Sequence, residues 1–165
     1  MNIAVYVIDT SYLIELFGCG RDSNAVASQT VRERFKSANK NGGRFFVPLP
    51  CLFELGNHIA DVGHDGQRAQ LAKNLVETVR DSLASNKPWT ITPTGPPESI
   101  LPALMERFGT LAAKQQIGLV DTFTLCEALR LKKSHEAYKA RIHIWTNDRS
   151  LKGQEPDPEQ NPYFW

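Results

Sequence analysis

Apolar positions along this chain follow two alternating rhythms. Short runs rich in β-branched and aromatic side chains stop abruptly at glycine, proline or an acid, while longer stretches repeat apolar residues every three or four positions. The first rhythm predicts buried strands and the second amphipathic helices. The strand-like runs are Ile3 to Ile8, Arg44 to Pro48, Trp89 to Thr92 and Arg141 to Thr146.

Between them the spacing predicts a short helix from Ser11 to Phe17, capped by Ser11 or Thr10 and broken by Gly18 and Gly20. A second helix runs from about Asn24 to Ala38, capped by Ser23, with Val26, Thr30, Val31 and Phe35 on one face. Pro50 suits the first turn of a third, about Cys51 to Val62. The next, about Gln67 to Ala84, repeats Leu71, Leu75, Val79 and Leu83 toward a core or a partner helix. Ser99 to Phe108 should turn Ile100, Leu101, Leu104, Met105 and Phe108 inward, followed by a helical turn over Thr110 to Gln116. The last helix, with Asp121 at its start, reaches about Lys133 and is apolar on more than one side through Phe123, Leu125, Cys126 and Leu129, which marks it as central. Strands alternating with helices imply a parallel sheet covered on both faces. The tail from Gly153, with Pro156, Pro158 and Pro162, should hold little regular structure, and its aromatic end Tyr163-Phe164-Trp165 is expected to dock on the body.

At 165 residues the chain accommodates one core, giving a domain over residues 1–152 and a proline-rich tail over 153–165. A net charge of +1 excludes a protein that holds nucleic acid by bulk charge alone and leaves room for a local basic patch. Cys19, Cys51 and Cys126 are an odd set without C-x-x-C spacing, so neither a disulfide framework nor a structural zinc site is indicated. The opening apolar run has no basic leader and is cut by Asp9 well short of the roughly 20 residues a membrane helix needs. The expectation is a soluble, cytoplasmic protein with no membrane partner.

Four acids share one topological address. Asp9 and Asp148 end strands, while Glu54 and Asp121 begin helices that follow connecting turns. In an open α/β sheet such positions line the crevice at the carboxyl edge. Taken singly, Asp9 and Asp121 read as helix caps, Asp148 as a turn residue and Glu54 as a solvated one. Together they repel: two unit charges about 4 Å apart cost roughly 4 kcal/mol at an effective dielectric near 20. Protons, basic partners or metal must relieve them. The neighbours Thr10, Ser11, Thr122, Thr146 and Asn147 add oxygens rather than thiols or imidazoles, a donor set that favours Mg²⁺ or Mn²⁺ over Zn²⁺. Phosphodiester hydrolysis is the reaction class such a set suits best.

Val7-Ile8-Asp9-Thr10-Ser11, the helix-borne Glu54, Leu119-Val120-Asp121 and Trp145-Thr146-Asn147-Asp148 resemble, in order, the four acidic motifs of PIN-domain nucleases, among them the VapC-like toxins of bacterial toxin–antitoxin pairs. The resemblance spans about Ile3 to Leu151. It implies a three-layer α/β/α fold with a central parallel sheet of about four or five strands, and a Mg²⁺- or Mn²⁺-dependent endoribonuclease. It further implies that Asp9, Glu54, Asp121 and Asp148 are the catalytic metal ligands, supported by hydrogen bonds from Thr10, Ser11, Thr146 and Asn147. The implied partners are an RNA substrate and a small antitoxin protein that presents an Arg or Lys to the acidic pocket and displaces metal. This chain departs from the family in two places: its proline-rich tail stands where a final strand commonly follows the last motif, and the stretch from Gly63 to Pro97 is long for a compact toxin.

Arg149 and Lys152, beside Asp148, are expected to contact RNA phosphates. The remaining cations near Arg130 to Arg141 read as a solvated face, and Cys51 and Cys126 as small buried hydrophobes. Glu54, His58 and Asp61 recur at helical spacing but lack a second histidine motif, and His143 inside an apolar strand reads as a satisfied core residue. The Leu71 to Leu83 stripe is also a candidate homodimer surface. Two other classes stay open: a catalytically silent RNA- or protein-binding module of the same fold, and a haloacid-dehalogenase-like phosphotransferase. The latter's second acid, two residues after the strand-end Asp, is replaced here by Ser11.

Overall fold

The computed structural model describes residues 3–19, 25–93, 95–115 and 117–160. Its centre is a sheet of β1 (Ala4–Ile8), β2 (Arg44–Pro48), β3 (Thr90–Thr92) and β4 (Arg141–Trp145), ordered β3-β2-β1-β4 with every neighbouring pair parallel. A parallel sheet buries both faces, which is why β1 and β4 are almost continuously apolar. Val5 and Val7 join Ile142 and Ile144 in a core under α6 (Leu119–Ser134), with Leu125, Ala128 and Leu131. On the opposite face Ile8, Phe45, Val47 and Trp145 pack with α1 (Thr10–Phe17), α2 (Ala25–Lys40), α3 (Leu49–Ala60) and α4 (Asp65–Ser85). The result is the expected three-layer α/β/α arrangement. No helix among the described residues is long and apolar enough to cross a membrane.

The link into β2 depends on a glycine. A Cβ at Gly43 would lie 2.8 Å from both the Ala38 carbonyl oxygen and a Tyr6 ring carbon, so only Gly lets the end of α2 close onto the sheet. At the exit of α1, Gly18 adopts φ 69°, and its amide bonds to Ile14 O.

Several helices differ from expectation. Asp9 caps α1, its carboxylate accepting from Ser11 N, so the helix starts one residue before Ser11. Ser23 lies outside the described residues. α3 already begins at Leu49, and α5 (Pro97–Gln115) is one helix rather than a helix and a separate turn. Pro102 is tolerated inside it at an exposed position, where water can satisfy the carbonyl that loses its amide partner. Because α5 packs on α6 as an outer helix, Leu104 is buried while Leu101 and Met105 are not. Val26 on α2 and Leu83 on α4 are likewise exposed. Spacing identified these stripes, but the stripes extend past the surfaces that cover them.

After Thr146 the chain makes one short helix, α7 (Arg149–Lys152), and then runs without helix or strand to Gln160. This stretch is not a loose tail. It lies along the outer edge of β4, where Ile142 N donates to Asp157 Oδ2 at 2.7 Å, Ile144 N donates to Glu155 Oε2 at 3.0 Å, and Asp157 N donates to Ile142 O at 3.2 Å. Side-chain carboxylates thus occupy the backbone donors that a fifth strand would take. The Asp157 carboxyl is raised by burial, but the Ile142 amide and Lys132 outweigh that and hold it below the ordinary range. The aromatic end, Tyr163 to Trp165, lies outside the described residues.

Leu71→Ala should lower unfolding free energy by about 2–4 kcal/mol through cavity formation. Leu83→Ala, at a side chain 75% exposed, should change it by less than about 0.5 kcal/mol. Urea titrations measure both, and equal losses would show that the outer end of α4 is covered.

Candidate functional site

The carboxyl ends of β1 and β4 meet at the rim of the sheet, where Asp9 N donates to Trp145 O at 3.0 Å and extends the ladder past the strands. Asp9 follows β1 directly and is 4% exposed. Its Oδ2 accepts from Ser11 Oγ and Thr146 Oγ1, each at 2.9 Å, and from Ser11 N at 3.4 Å. The same two hydroxyls bind the end of β4: Asn147 N donates to Ser11 Oγ at 2.9 Å and Asp148 N to Thr146 Oγ1 at 3.0 Å. One carboxylate and two hydroxyls therefore clamp the two strand ends together.

The other acids arrive from three helices. Glu54, half-buried on α3, accepts from Thr10 Oγ1 at 2.6 Å. Asp121, half-buried in the first turn of α6, accepts from the N-cap amide Gly118 N at 3.3 Å. Asp148, exposed, caps α7 and accepts from Leu151 N at 2.8 Å. Thr10, Ser11 and Thr146 thus touch acids directly. Asn147 reaches the cluster through its backbone amide, and its side-chain oxygen is buried without a partner. Thr122 returns its hydroxyl to Gly118 O and meets no acid.

Electrostatics ties the four together. Asp121 is pushed from 3.8 up to about 6, first by burial and then by the Asp9 charge; the Gly118 amide opposes this, while Asp148 and Glu54 add to it. Beneath Asp9 lies Cys51, fully buried, its Sγ 3.9 Å from Asp9 Oδ1 and 3.5 Å from Thr124 Oγ1. Burial and the Asp9 charge push this thiol up to about 12, so it remains protonated and is a donor rather than a ligand. Thr124 carried no sequence signal for this contact, since it lies on the inner face of a helix whose apolar neighbours dominate its pattern. The acids that converge at this crevice offer a cation only oxygens.

A second acidic group lies along β4. His143, Glu155 and Glu159 have ligand atoms all within 4.8 Å of one another, a cluster that could hold a metal ion; the crevice acids are spaced more widely. Cations of the protein already serve this second group. Lys152 Nζ lies 2.8 Å from Glu155 Oε2 and 3.3 Å from Glu159 Oε2, and Arg34 lies 2.6 Å from Glu159 Oε1. Two carboxylates facing two cations leave little attraction for another. His143 is buried, with Nδ1 2.8 Å from Asp157 O, as expected of a satisfied core histidine. Lys152 itself, only 4% exposed and committed to these carboxylates, cannot reach an RNA phosphate, which corrects its expected role. Glu155 and Glu159 stand three and seven residues after Lys152, but Pro156 and Pro158 rule out a helix there and so hid the link in the sequence. Arg149 is exposed at the start of α7, while His58 on α3 and Asp61 just past its end are also exposed.

No protein-family model matches the chain, and no curated protein matches it. Among solved structures it is similar to the crystal structure of PAE2754 from Pyrobaculum aerophilum, at 16% identity and TM-score 0.52, over 94% of this chain and 88% of that one. At that identity the likeness bears on the fold, a parallel α/β sheet with helices over both faces.

The Asp121 carboxyl titrates near 6 in the folded chain against 3.8 for an ordinary Asp. The folded state therefore binds the proton more tightly, and stability falls as pH rises from below the lower value through the higher one. In chelator, Asp121→Asn should be more stable than the parent by about 1 kcal/mol at neutral pH, after discounting for the group's partial exposure. The difference should vanish near pH ~3.5, below the unfolded-state value. Thermal melts across pH test this, and a difference that grows toward acid would contradict it.

Proposed function

We propose that this protein is a metal-dependent endoribonuclease of the PIN type, hydrolysing RNA phosphodiester bonds with Mg²⁺ or Mn²⁺ held by Asp9, Glu54, Asp121 and Asp148. The observation that carries the reading is the gathering of acids at one rim: Asp9 fixed by Ser11 and Thr146, Glu54 bound to the adjacent Thr10, and Asp148 following Thr146, with Asp121 close enough for their charges to raise its carboxyl. A divalent cation is the natural relief for such a set, and the all-oxygen donors suit hard ions. When bound, such an ion lowers the pKa of water and neutralises charge on a scissile phosphate.

The chain's own residues prepare the place. Ser11 and Thr146 fix the Asp9 carboxylate, and Thr10 fixes Glu54. A half-buried Asp121 is readily deprotonated at neutral pH and is then available as a ligand. Arg149 is the cation proposed to meet an RNA phosphate at the crevice. A small inhibitory protein would act by placing an Arg or Lys among the acids, as in a toxin–antitoxin pair. Homodimerisation is proposed through α4, which leaves Val76 and Leu83 exposed; a monomeric mass in solution overturns that part.

Purified protein should cut an RNA panel in Mg²⁺ or Mn²⁺ and stop in chelator. Asp9→Asn should lose at least about a hundredfold in rate while keeping its circular dichroism spectrum, because the amide oxygen can still cap α1. Equal cleavage by Asp9→Asn would refute the assignment.

A further inference from the structure

Asp148 is the exposed member of the acidic set, and the helix it caps spans only Arg149–Lys152. So short a helix is not stable by its own hydrogen bonds and must be held by contacts to the body. One of these is Leu151, fully buried in the core under α6. The other is polar. The Lys152 ammonium donates to Ile144 O and Glu155 Oε2, each at 2.8 Å, and to Glu159 Oε2 at 3.3 Å, so its three protons meet three acceptors. Glu155 is bound in turn to Ile144 N, and Glu159 to Arg34 of α2. The Lys152 amide donates to Asp148 O at 2.9 Å, and the Leu151 amide holds the Asp148 carboxylate. The cation is thus fixed to β4, the strand whose carboxyl end leads into Asp148.

A buried ion cluster is a weak source of stability, since apolar side chains of similar volume often do as well. What it supplies is direction, because three oriented bonds admit one rotation of α7 where an apolar contact admits several. We propose that Lys152, with Glu155 and Glu159, is a positioning residue that locks α7 in the rotation placing the Asp148 carboxylate at the acidic crevice. This rests on reading the crevice as a divalent-cation site and adds how its most exposed acid is held.

The test is calorimetric Mn²⁺ affinity on RNA-free full-length protein, with amide hydrogen exchange at Leu151 on the same samples. Lys152→Met should weaken Mn²⁺ about tenfold, and Glu155→Gln should weaken it in the same direction by less. In an Asp148→Ala background neither change should weaken it further, because the effect runs through Asp148. A loss that persists undiminished in that background marks a general effect on the fold and overturns the proposal, as does unchanged affinity in both single variants. Should Lys152→Met fail to fold, Glu155→Gln alone and with Asp148→Ala decides by the same comparison. A parent protein that binds no Mn²⁺ removes the cation reading and with it the metal half of this proposal. The Leu151 amide then decides the lock itself: faster exchange in Glu155→Gln supports it, and unchanged exchange overturns it.

Discussion

The arrangement at the sheet edge depends on a carboxylate withdrawn almost completely from water. Asp9 is 4% exposed, and a charge so placed survives only where donors replace its hydration. Ser11 and Thr146 supply them, and both hydroxyls pass a second bond to the amides that follow β4. Residues 137 apart in the chain are thereby joined through a single side chain. The start of α1, the turn after β4 and the entry to α7 all take their positions from this junction. The carboxylate is held from behind and below, with the protonated Cys51 beneath it.

The contrast between the two acidic groups separates architecture from chemistry. Along β4, Glu155, Asp157 and Glu159 face Lys152, Lys132 and Arg34, and Asp157 and Glu155 also accept the amides of Ile142 and Ile144. Charge and hydrogen-bond capacity are both satisfied there, so the group behaves as structure. At the crevice, the charges that raise Asp121 are other carboxylates. Proximity of ligand atoms alone would favour the first group. Counting the cations already present reverses the preference.

Much of the fold was legible because burial on both faces writes strands as continuous apolar runs. Asp9, Asp148 and Asp121 stood out because they follow such a run or open a helix, whereas Glu54 lies in the second turn of α3, deeper in its helix than the spacing suggested. The start of α1 was ambiguous because Asp9, Thr10 and Ser11 are all good caps, and only geometry shows Asp9 accepting the amide. Leu101, Met105 and Leu83 were misplaced for a different reason: periodicity reports a stripe, whereas the layer that covers it comes from elsewhere in the chain. Lys152 was read as a surface cation because its partners, three and seven residues on, lie in a proline-interrupted stretch that reads as neither helix nor strand. Asn147 contributes its amide where its side chain was expected, a distinction that residue type cannot convey.

The carboxylates along β4 also decide how this sheet can meet other chains. A strand edge with open amides invites another strand, in its own kind or in a foreign peptide. Here one edge has its donors consumed by Glu155 and Asp157, and the other ends in β3, whose three residues offer little length for pairing. Growth of the sheet by strand addition is therefore blocked at one side and truncated at the other. Recognition falls to helix surfaces and to the acidic rim, and the molecule can leave its crevice open without exposing a backbone template beside it.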